Sequence, residues 1–219
     1  MTLAGRKILV TAGPTREYLD PVRYLSNDSS GRMGFALAAE AVHRGAAVTL
    51  VTGPVDLKPP RCRVARVVTA RQMREAALRY GKGADVIIAS AAVGDWRPVR
   101  TSSSKIKKSS RPGIAWKIPF VLNPDILKDL SRRKTRGRPI LIGFALETHD
   151  LLRNARAKLK AKKLDLVVAN SPAAFGKTRA KTIFLDVDGN VSRFGSTDKK
   201  VIAKRILDFA EKRFESLLR

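Results

Sequence analysis

Short apolar runs that alternate with helix-like segments constrain the fold of this chain more than any other feature. The runs KILVTA (7–12), ADVIIASAAV (84–93) and PILIGFALE (139–147) are almost continuously apolar, which is typical of strands buried on both faces of a parallel sheet. Parallel neighbours need crossover connections, and the intervening segments are long enough to supply helices. The pattern predicts an α/β fold: a doubly wound, mostly parallel, Rossmann-like sheet with strand 84–93 near its centre.

The other segments fit the same scheme. Asp188 and Gly189 lie between two apolar stretches and predict a hairpin over 182–194. The whole chain of 219 residues is interpreted as one domain. Further strands are expected at 46–54, 62–70 and 164–170, and helices at 31–43, 70–82, 124–134, 150–163 and 197–218.

One segment interrupts the alternation. Residues 96–118 contain seven basic residues, no acidic residue, two prolines and five serines. The alternating pattern in KIKK (105–108) and GIAWKI (113–118) favours a β-ribbon. We therefore expect an arm inserted into the domain at this point.

The net charge of +25, from 44 Lys and Arg against 19 Asp and Glu, allows two interpretations. A nucleic-acid-binding α/β protein would use such a charge to neutralise phosphates. A basic surface with some lysines serving an anionic small ligand would have the same composition. Phe, Trp and Tyr make up 6% of the chain and few lie beside lysines, which argues against base-stacking platforms. Nucleic-acid binding is kept as the alternative.

The composition also bears on location and metals. No apolar run approaches the ~20 residues of a membrane span, and the N-terminus lacks the charged and apolar regions of a signal peptide. We expect a soluble, cytoplasmic protein. Cys62 is the single cysteine, and with His43 and His149 alone we expect no Cys/His metal cluster.

Familiar nucleotide-binding signatures are missing from the sequence. The first turn, AGPT (12–15), lacks the G-x-G-x-x-G pattern of dinucleotide-binding domains, and no tyrosine is followed four residues later by lysine, as in short-chain dehydrogenases. Gly176 and Lys177 lack the glycine five positions earlier that a Walker phosphate loop requires. These observations argue against a nicotinamide reductase and a P-loop enzyme.

A serine-rich turn lies directly before the first predicted helix. In RYLSNDSSGRMG (23–34), Asn27, Ser29 and Gly31 lead into a helix whose first N–H groups have no internal partner and whose dipole favours an anion. The small residues from Gly34 onwards predict close packing of this helix on the sheet. The alternative is an ordinary serine N-cap without a ligand.

Other strand ends and helix entries also carry polar residues. Each has an ordinary structural explanation as a turn residue, a helix cap or a solvated face. Together they are expected at the carboxyl edge of the sheet, where α/β folds bind ligands. They are Asp95 after strand 84–93, Asn123 as the expected N-cap of NPDIL (123–127), Glu147 at the end of strand 139–147, and Lys158 and Lys162 on one helix face.

In combination the motifs resemble those of phosphopantothenoylcysteine synthetase, also called phosphopantothenate–cysteine ligase. DPVRYLSNDSSGRMG (20–34) is the most specific, and AAVGDWRP, KIKK, NPDIL, GFALET and LDLVVAN follow in the order of that family. The resemblance covers about residues 6–210. It implies a stand-alone synthetase or a fragment of a larger protein, without the flavin-dependent decarboxylase that often precedes this domain.

The resemblance implies an activity and its reagents. CTP would activate the carboxylate of 4′-phosphopantothenate as an acyl-cytidylate, and the amine of cysteine would displace the nucleotide on the route to coenzyme A. Mg²⁺ would be held mainly by the triphosphate, so no protein ligand is assigned to it. A homodimer is implied, in which the arm reaches over the active site of the partner.

The resemblance also assigns roles to individual residues. Asn27 would handle the acyl-cytidylate, Lys105 would contact the triphosphate from the arm, and Ser29 would lie beside the phosphates, next to the helix start at Gly31. No nucleophilic side chain is needed, because the first step joins two anions and mainly requires charge compensation. The general base is left open between Asp95 and Glu147. The remaining nucleotide-binding candidates are Ala91, Ala92, Val93, Asp95, Pro124, Asp125, Ile126, Leu127, Phe144, Lys158 and Lys162.

Overall fold

In the computed structural model the chain forms a central sheet flanked by helices. The structure describes residues 3–108, 116–170 and 178–217. Its strands are β1 (Lys7–Ala12), β2 (Arg16–Tyr18), β3 (Tyr24–Ser26), β4 (Ala47–Thr52), β5 (Arg63–Arg66), β6 (Val86–Ala89), β7 (Trp96–Pro98), β8 (Phe120–Leu122), β9 (Ile140–Leu146), β10 (Leu166–Asn170), β11 (Arg179–Asp186) and β12 (Val191–Asp198). Its helices are α1 (Arg32–His43), α2 (Ala70–Tyr80), α3 (Ile126–Ser131), α4 (Leu151–Ala161) and α5 (Lys199–Ser216).

Eight strands form the main sheet in the order β12-β11-β10-β9-β6-β1-β4-β5. The six strands from β10 to β5 in this order pair in parallel, and β11 and β12 add an antiparallel edge. The predicted doubly wound, mostly parallel, Rossmann-like fold is confirmed, with β6 and β9 at the centre. Because the chain leaves β1 for β4 on one side and returns to β6 on the other, a crevice forms at their carboxyl ends.

The two faces of the sheet are covered by different helices. Ile8 and Val10 of β1 belong to a buried cluster with α1 and α5, whereas Leu9 between them belongs to a cluster with α2, α3 and α4. Successive side chains of a strand point to opposite faces, so a strand buried on both faces must be apolar at nearly every position. This explains the continuous apolar runs of the sequence.

Helices α1 and α5 lie side by side and are joined by Arg44. Its guanidinium lies 2.9 Å from Glu40, 2.8 Å from Asp208 and 3.1 Å from Glu211, and it donates a 3.0 Å hydrogen bond to the carbonyl of Lys204. These contacts fix α5 against the helix that borders the crevice. Of the helices in the described residues, none has the length and apolarity of a membrane span.

Two features near β1 differ from the expectation. A short antiparallel hairpin of β2 and β3 was not predicted, because three-residue strands are too short to show a periodicity. Strand β6 ends at Ala89, before the predicted end at residue 93, although Ala92 still forms an isolated parallel bridge with Pro14 beyond the end of β1. There Ala92 donates a 2.9 Å hydrogen bond to Gly13, and Thr15 donates a 3.3 Å hydrogen bond to Ala92.

The predicted hairpin over 182–194 is present, and its strands β11 and β12 extend beyond those bounds. Gly189 adopts a φ of +88° in the turn, a left-handed conformation that glycine reaches at little cost. The described parts of KIKK and GIAWKI, residues 105–108 and 116–118, do not form the β-ribbon predicted for them. The strands that pair are β7 and β8, at the base of the segment. Residues 99–108 and 116–119 lie in no strand, and 109–115 fall outside the described residues.

Candidate active site

Two cavities lie side by side at the carboxyl edge of the sheet. One has a volume of about 600 Å³ and the other about 500 Å³. Their shared wall consists of Ala91, Val93, Asp95, Phe144 and Lys158. We call the pair the cleft, the larger cavity its first lobe and the smaller one its second lobe. The cleft occupies the crevice that the strand order creates.

The predicted site residues divide between the two lobes. Asn27, Ser29, Gly31 and Ala92 line the second lobe, whereas Lys105 lines neither. The structure therefore brings together all the predicted candidates except Lys105. Those in the first lobe are Ala91, Val93, Asp95, Pro124, Asp125, Ile126, Leu127, Phe144, Lys158 and Lys162.

The start of α1 faces the second lobe without a capping side chain. Gly31 is the N-cap, with a φ of +73°, and no side-chain hydrogen bond caps the helix. A Cβ on Gly31 would approach Val55 to 3.1 Å and the Cα of Gly13 to 3.4 Å, so both its torsion angle and its surroundings favour glycine. Ser29 instead accepts a long, 3.4 Å hydrogen bond from the Gly31 N–H. The serine N-cap considered as an alternative is therefore wrong.

Asn27 ties the serine-rich turn to the end of the central strand. Its side-chain nitrogen donates hydrogen bonds of 3.2 Å to the carbonyl of Ala92 and 3.0 Å to the carbonyl of Val93. The turn and the strand end are thereby held together as adjoining walls of the second lobe. An aspartate at this position would place carboxylate oxygens against two carbonyl oxygens.

Gly34 brings α1 into direct contact with the sheet beside the cleft. A Cβ at this position would lie 2.4 Å from the Cβ of Ala12 and 2.7 Å from the hydroxyl of Ser90. The close packing predicted for this helix is confirmed. The start of α1 can therefore reach the strand ends.

Asn123 supports the loop that carries Asp95 and does not cap α3. Its backbone N–H donates a 2.7 Å hydrogen bond to the carbonyl of Asp95, and its side chain donates a 2.8 Å hydrogen bond to the carbonyl of Gly94. The N-cap is Asp125, whose carboxylate accepts a 2.9 Å hydrogen bond from the N–H of Lys128. The N-cap predicted at Asn123 is wrong, because its side chain is already engaged with the Asp95 loop.

Lys158 and Lys162 both line the first lobe, and Lys158 also lines the second. Lys158 is half-buried and donates a 2.6 Å hydrogen bond to the carbonyl of Phe144. Burial lowers the pKa of Lys158, while the carboxylates of Glu147 and Asp125 offset part of that effect. Lys162 forms an ion pair with Asp125. Burial alone would raise the pKa of Asp125, but the hydrogen bonds from Lys162 and from the helix N–H bring it below its ordinary value.

Two carboxylates border the second lobe close to the shared wall. Asp95 is exposed, and Glu147 accepts a 2.9 Å hydrogen bond from the side chain of Asn154. Within residues 3–108, 116–170 and 178–217, no group of three Asp, Glu, His or Cys side chains is placed to hold a metal ion. The choice of general base between Asp95 and Glu147 remains a prediction.

Several polar residues of the second lobe were not among the candidates predicted from the sequence. Arg32, Asn170 and Lys199 are three of them. The side-chain oxygen of Asn170 is buried and has no hydrogen-bond partner among residues 3–108, 116–170 and 178–217. Burial lowers the pKa of Lys199, and the nearby charge of Arg32 lowers it further. Arg32 follows Gly31 and Asn170 ends LDLVVAN, so motif neighbours could have indicated both, whereas nothing local marks Lys199.

Comparison with known proteins points to one family. A family model described as the DNA/pantothenate metabolism flavoprotein C-terminal domain matches residues 3–213. The crystal structure of the C-terminal domain of the Coenzyme A biosynthesis bifunctional protein CoaBC superimposes with a TM-score of 0.84, at 37% identity and with 98% of each chain covered.

Two curated relatives carry different names. The Coenzyme A biosynthesis bifunctional protein CoaBC of Vibrio cholerae serotype O1 is 46% identical over 177 residues, which is 80% of this chain and 44% of that protein. A protein named Cysteine/Cysteine sulfinic acid decarboxylase, from an unknown prokaryotic organism, is 41% identical over 211 residues, which is 94% of this chain and 58% of that protein. The chain thus spans about half the length of the curated relatives it matches.

The family model and the crystal structure both match nearly the whole chain, including the central sheet and the segments that build the cleft. The relatives extend well beyond the matched region, so their names describe longer proteins. The chain itself belongs to the family of DNA/pantothenate metabolism flavoprotein C-terminal domains.

Proposed function

We propose that this chain is a phosphopantothenate–cysteine ligase that uses CTP and acts in coenzyme A biosynthesis. The observation that carries the proposal is the cleft, in which nearly all the candidate residues line two adjoining lobes although they come from distant segments. The relatives named for coenzyme A biosynthesis support it. The proposal includes a cytoplasmic location, where CTP is available.

The first lobe takes the cytidine and its phosphates. Its volume of about 600 Å³ is in the range of small-molecule sites, and Pro124, Leu127 and Phe144 offer apolar walls to a planar base. Lys158 and Lys162 bring positive charge to the same lobe. Lys162 exchanges its Asp125 partner for a phosphate when the nucleotide binds.

The second lobe takes 4′-phosphopantothenate. Arg32 and Lys199 line this lobe and not the first, and they are close enough for the Arg32 charge to lower the pKa of Lys199. Two neighbouring cations favour an anion between them, so we assign the substrate phosphate to this pair. The unpartnered oxygen of Asn170 accepts a hydrogen bond from a substrate N–H or O–H group.

The reaction centre is the shared wall. In the first step a carboxylate oxygen of the substrate attacks the α-phosphorus of CTP, and pyrophosphate leaves. Lys158 at the wall and the uncapped start of α1 compensate the charge that accumulates when two anions meet. Holding the two reactants in line contributes roughly 7–11 kcal/mol relative to dilute reactants.

In the second step the amine of cysteine attacks the acyl carbon, CMP leaves, and the amine proton passes to a base at Asp95 or Glu147. Asn27 keeps the strand end and the serine-rich turn in place around the acyl-cytidylate. Mg²⁺ carried by the triphosphate would neutralise charge on the pyrophosphate that leaves in the first step. Asp95, a carboxylate of the shared wall, would be the side chain to hold it.

The proposed enzyme is a homodimer whose arm crosses to the partner. Large apolar side chains are exposed on β2–β3 and on β7–β8, among them Val22 at 58%, Trp96 at 49% and Leu122 at 60%, and the last two also line the edge of the first lobe. An exposed apolar surface of this kind is typical of an interface. Lys105, which lines neither lobe of its own chain, reaches the cleft of the second copy in this arrangement.

The test is pyrophosphate release from CTP by the purified chain with 4′-phosphopantothenate and Mg²⁺, with and without cysteine. We expect release to require phosphopantothenate, and cysteine to raise turnover and convert the acyl-cytidylate to phosphopantothenoylcysteine. ATP in place of CTP tests the choice of nucleotide. Absence of nucleotide-dependent release, or CO₂ release from cysteine or cysteine sulfinic acid without a nucleotide, would overturn the proposal.

A further inference from the structure

The turn between β2 and β3 holds the segment that carries Lys105. The N–H of Ser102 donates a 3.0 Å hydrogen bond to the carbonyl of Leu19, and the hydroxyl of Thr101 donates a 2.9 Å hydrogen bond to the carbonyl of Tyr18. These bonds join residues more than 80 positions apart in the chain. The lysine-bearing segment is therefore anchored to the hairpin at its beginning.

At the centre of this contact is the carboxylate of Asp20, which is completely buried. One oxygen accepts hydrogen bonds of 2.9 Å from the N–H of Val22 and 2.8 Å from the N–H of Arg23. The other accepts a 3.1 Å hydrogen bond from the N–H of Ile106 and lies 3.0 Å from the Nε of Arg23. One buried carboxylate thus accepts hydrogen bonds both from its own turn and from Ile106, the residue after Lys105.

Arg23 contacts the arm in two places, at Ile106 and at Trp116. Its guanidinium donates a hydrogen bond to the carbonyl of Ile106, so both backbone groups of Ile106 are bound. The same guanidinium lies over the ring of Trp116, 5.2 Å from its centre. The hairpin therefore contacts the outgoing and the returning parts of the arm.

We propose that Asp20 is a positioning residue for Lys105. Ile106 is fixed through its N–H and its carbonyl, and this fixes the peptide units on both of its sides, including the one shared with Lys105. Lys105 itself is exposed, so the bonds to Ile106 fix the backbone from which its side chain extends and leave the side chain free to reach a ligand. This inference rests on the proposed ligase activity, in which Lys105 contacts the triphosphate.

The charge state of Asp20 fits this role. Burial alone would raise its pKa, but the three backbone donors and the Arg23 charge bring the pKa below the ordinary value. The carboxylate therefore stays ionised across the neutral range, and its hydrogen bonds to the arm persist there.

The first test compares Asp20→Asn with Asp186→Asn by hydrogen exchange. Asp186 also accepts backbone hydrogen bonds in a turn, from Asp188 at 3.0 Å and Asn190 at 2.8 Å, but it lies in the β11–β12 hairpin, away from the arm. We expect faster exchange of the Ile106 amide in Asp20→Asn and no change there in Asp186→Asn. Unchanged protection of the Ile106 amide in Asp20→Asn would show that Asp20 does not hold the arm and would overturn the proposal. This measurement does not require an active enzyme.

The second test is a double-mutant cycle with Lys105→Gln, measured as CTP-dependent pyrophosphate release. A displaced catalytic group costs up to about 100-fold in rate, so we expect Asp20→Asn to lower kcat about 10- to 100-fold. In the Lys105→Gln background it should cause little further loss, because both changes remove the same interaction. If the double variant loses kcat by the product of the two single losses, Asp20 acts independently of Lys105 and the proposal is overturned.

Thr101→Val provides a milder variant if Asp20→Asn unfolds. It removes one hydrogen bond at an exposed position, and we expect a smaller loss of kcat that is again absent in the Lys105→Gln background. An equal loss in both backgrounds would overturn the proposal. If the wild-type chain releases no pyrophosphate, the ligase assignment fails, and with it the role of Asp20 in positioning Lys105 for that reaction. The exchange experiment then separately decides whether Asp20 holds the backbone of Ile106.

Discussion

At the scale of single residues, Gly34 sets the distance between α1 and the sheet. A Cβ there would lie 2.4 Å from the Cβ of Ala12 and 3.0 Å from its Cα. Neither atom can move by a side-chain rotation, so the helix itself would have to shift. The position of the helix start that borders the second lobe thus depends on glycine having no side chain at position 34.

Gly34→Ala should destabilise the protein even though alanine is the better helix former. The propensity gain is about 1 kcal/mol, whereas overpacking against a fixed neighbour costs about 1–3 kcal/mol, so we expect a net loss of up to about 2 kcal/mol. Urea unfolding measures it. Gly195→Ala is the control, because a Cβ added there would meet no atom within 4 Å and its effect should stay within about 0.5 kcal/mol. Equal effects of the two changes would contradict the packing argument.

Lys158 combines a functional charge with a cost in stability. Burial lowers its pKa, so below the folded-state pKa the folded protein carries a penalty. In the unfolded chain lysine titrates near 10.4, so that state binds more protons between the two pKa values, and stability rises with pH in this window. Lys158→Met removes the titration, and we expect a more stable protein near pH 7 with a smaller advantage near pH 9.5.

The measurement is urea unfolding at both pH values, with and without CTP. Lys160→Met, an exposed position on the same helix, is the control and should leave the pH dependence unchanged. CTP should stabilise the control and the wild type by mass action but not Lys158→Met. The burial argument is wrong if Lys158→Met retains the wild-type pH slope.

At the scale of elements, the contact between α1 and α5 determines how two walls of the second lobe meet. Lys199 begins α5 and Arg32 begins α1, and both side chains line that lobe. Arg44, near the other end of α1, forms ion pairs with Asp208 and Glu211 of α5. The geometry at the lobe therefore depends on a joint at the far end of the same helix pair.

Arg44→Ala should weaken the contact between α1 and α5 and lower the free energy of unfolding. Breaking a fully buried ion pair costs about 3–5 kcal/mol, but the carboxylate partners here are partly exposed, so we expect a loss of about 2 kcal/mol. Thermal or urea unfolding measures the loss. Arg153→Ala, at an exposed position of α4, is the matched control and should have little effect. A loss that disappears in high salt would show that the Arg44 pairs behave as ordinary surface ion pairs.

At the scale of the whole molecule, Lys105 and the cleft of its own chain are separate. The hydrogen bond from the Ile106 N–H to Asp20 ties the Lys105 segment to the β2–β3 turn, and the apolar side chains on β2–β3 and β7–β8 offer a surface for a second copy. A site completed by two chains explains both features at once. It also predicts that two variants, each defective in a different part of the site, restore activity when they are mixed.

Equimolar mixing of Lys105→Gln and Asn27→Ala chains should restore activity if the arm acts in trans. Half of the dimers are then mixed, and one of the two sites in each has an intact arm and an intact Asn27, so we expect about a quarter of wild-type pyrophosphate release. Each variant alone is the control and should be nearly inactive. If the arm acts within its own chain, mixing restores nothing.

The basic surface of the whole molecule raises the alternative function, nucleic-acid binding, which the salt dependence of binding tests. Non-specific binding to nucleic acid weakens steeply as salt rises, whereas a nucleotide held in a cleft keeps stabilising the fold. We expect stabilisation by CTP to persist at moderate salt while retention of DNA or RNA fades. Salt-resistant binding of nucleic acid without stabilisation by CTP would favour the alternative function.

Much of this protein is determined by sequence alone, because burial on both faces of a parallel sheet requires unbroken apolar runs. KILVTA, ADVIIASAAV and PILIGFALE predict β1, β6 and β9 for this reason, and the order of strands and helices predicts a ligand site at their carboxyl ends. The resemblance added the candidate residues, and the fold brings most of them to one cleft.

The tertiary structure decided what depends on partners distant in the chain. Asn123 failed as a predicted cap because its side chain is bound to the Gly94 carbonyl, and Lys199 joins the second lobe only through the packing of α5 on α1. The role of the buried Asp20 is equally invisible in sequence, since its acceptor capacity is used by an N–H at position 106. Local periodicity reports which face a residue buries, but hydrogen bonds between distant segments exist only once the chain has folded.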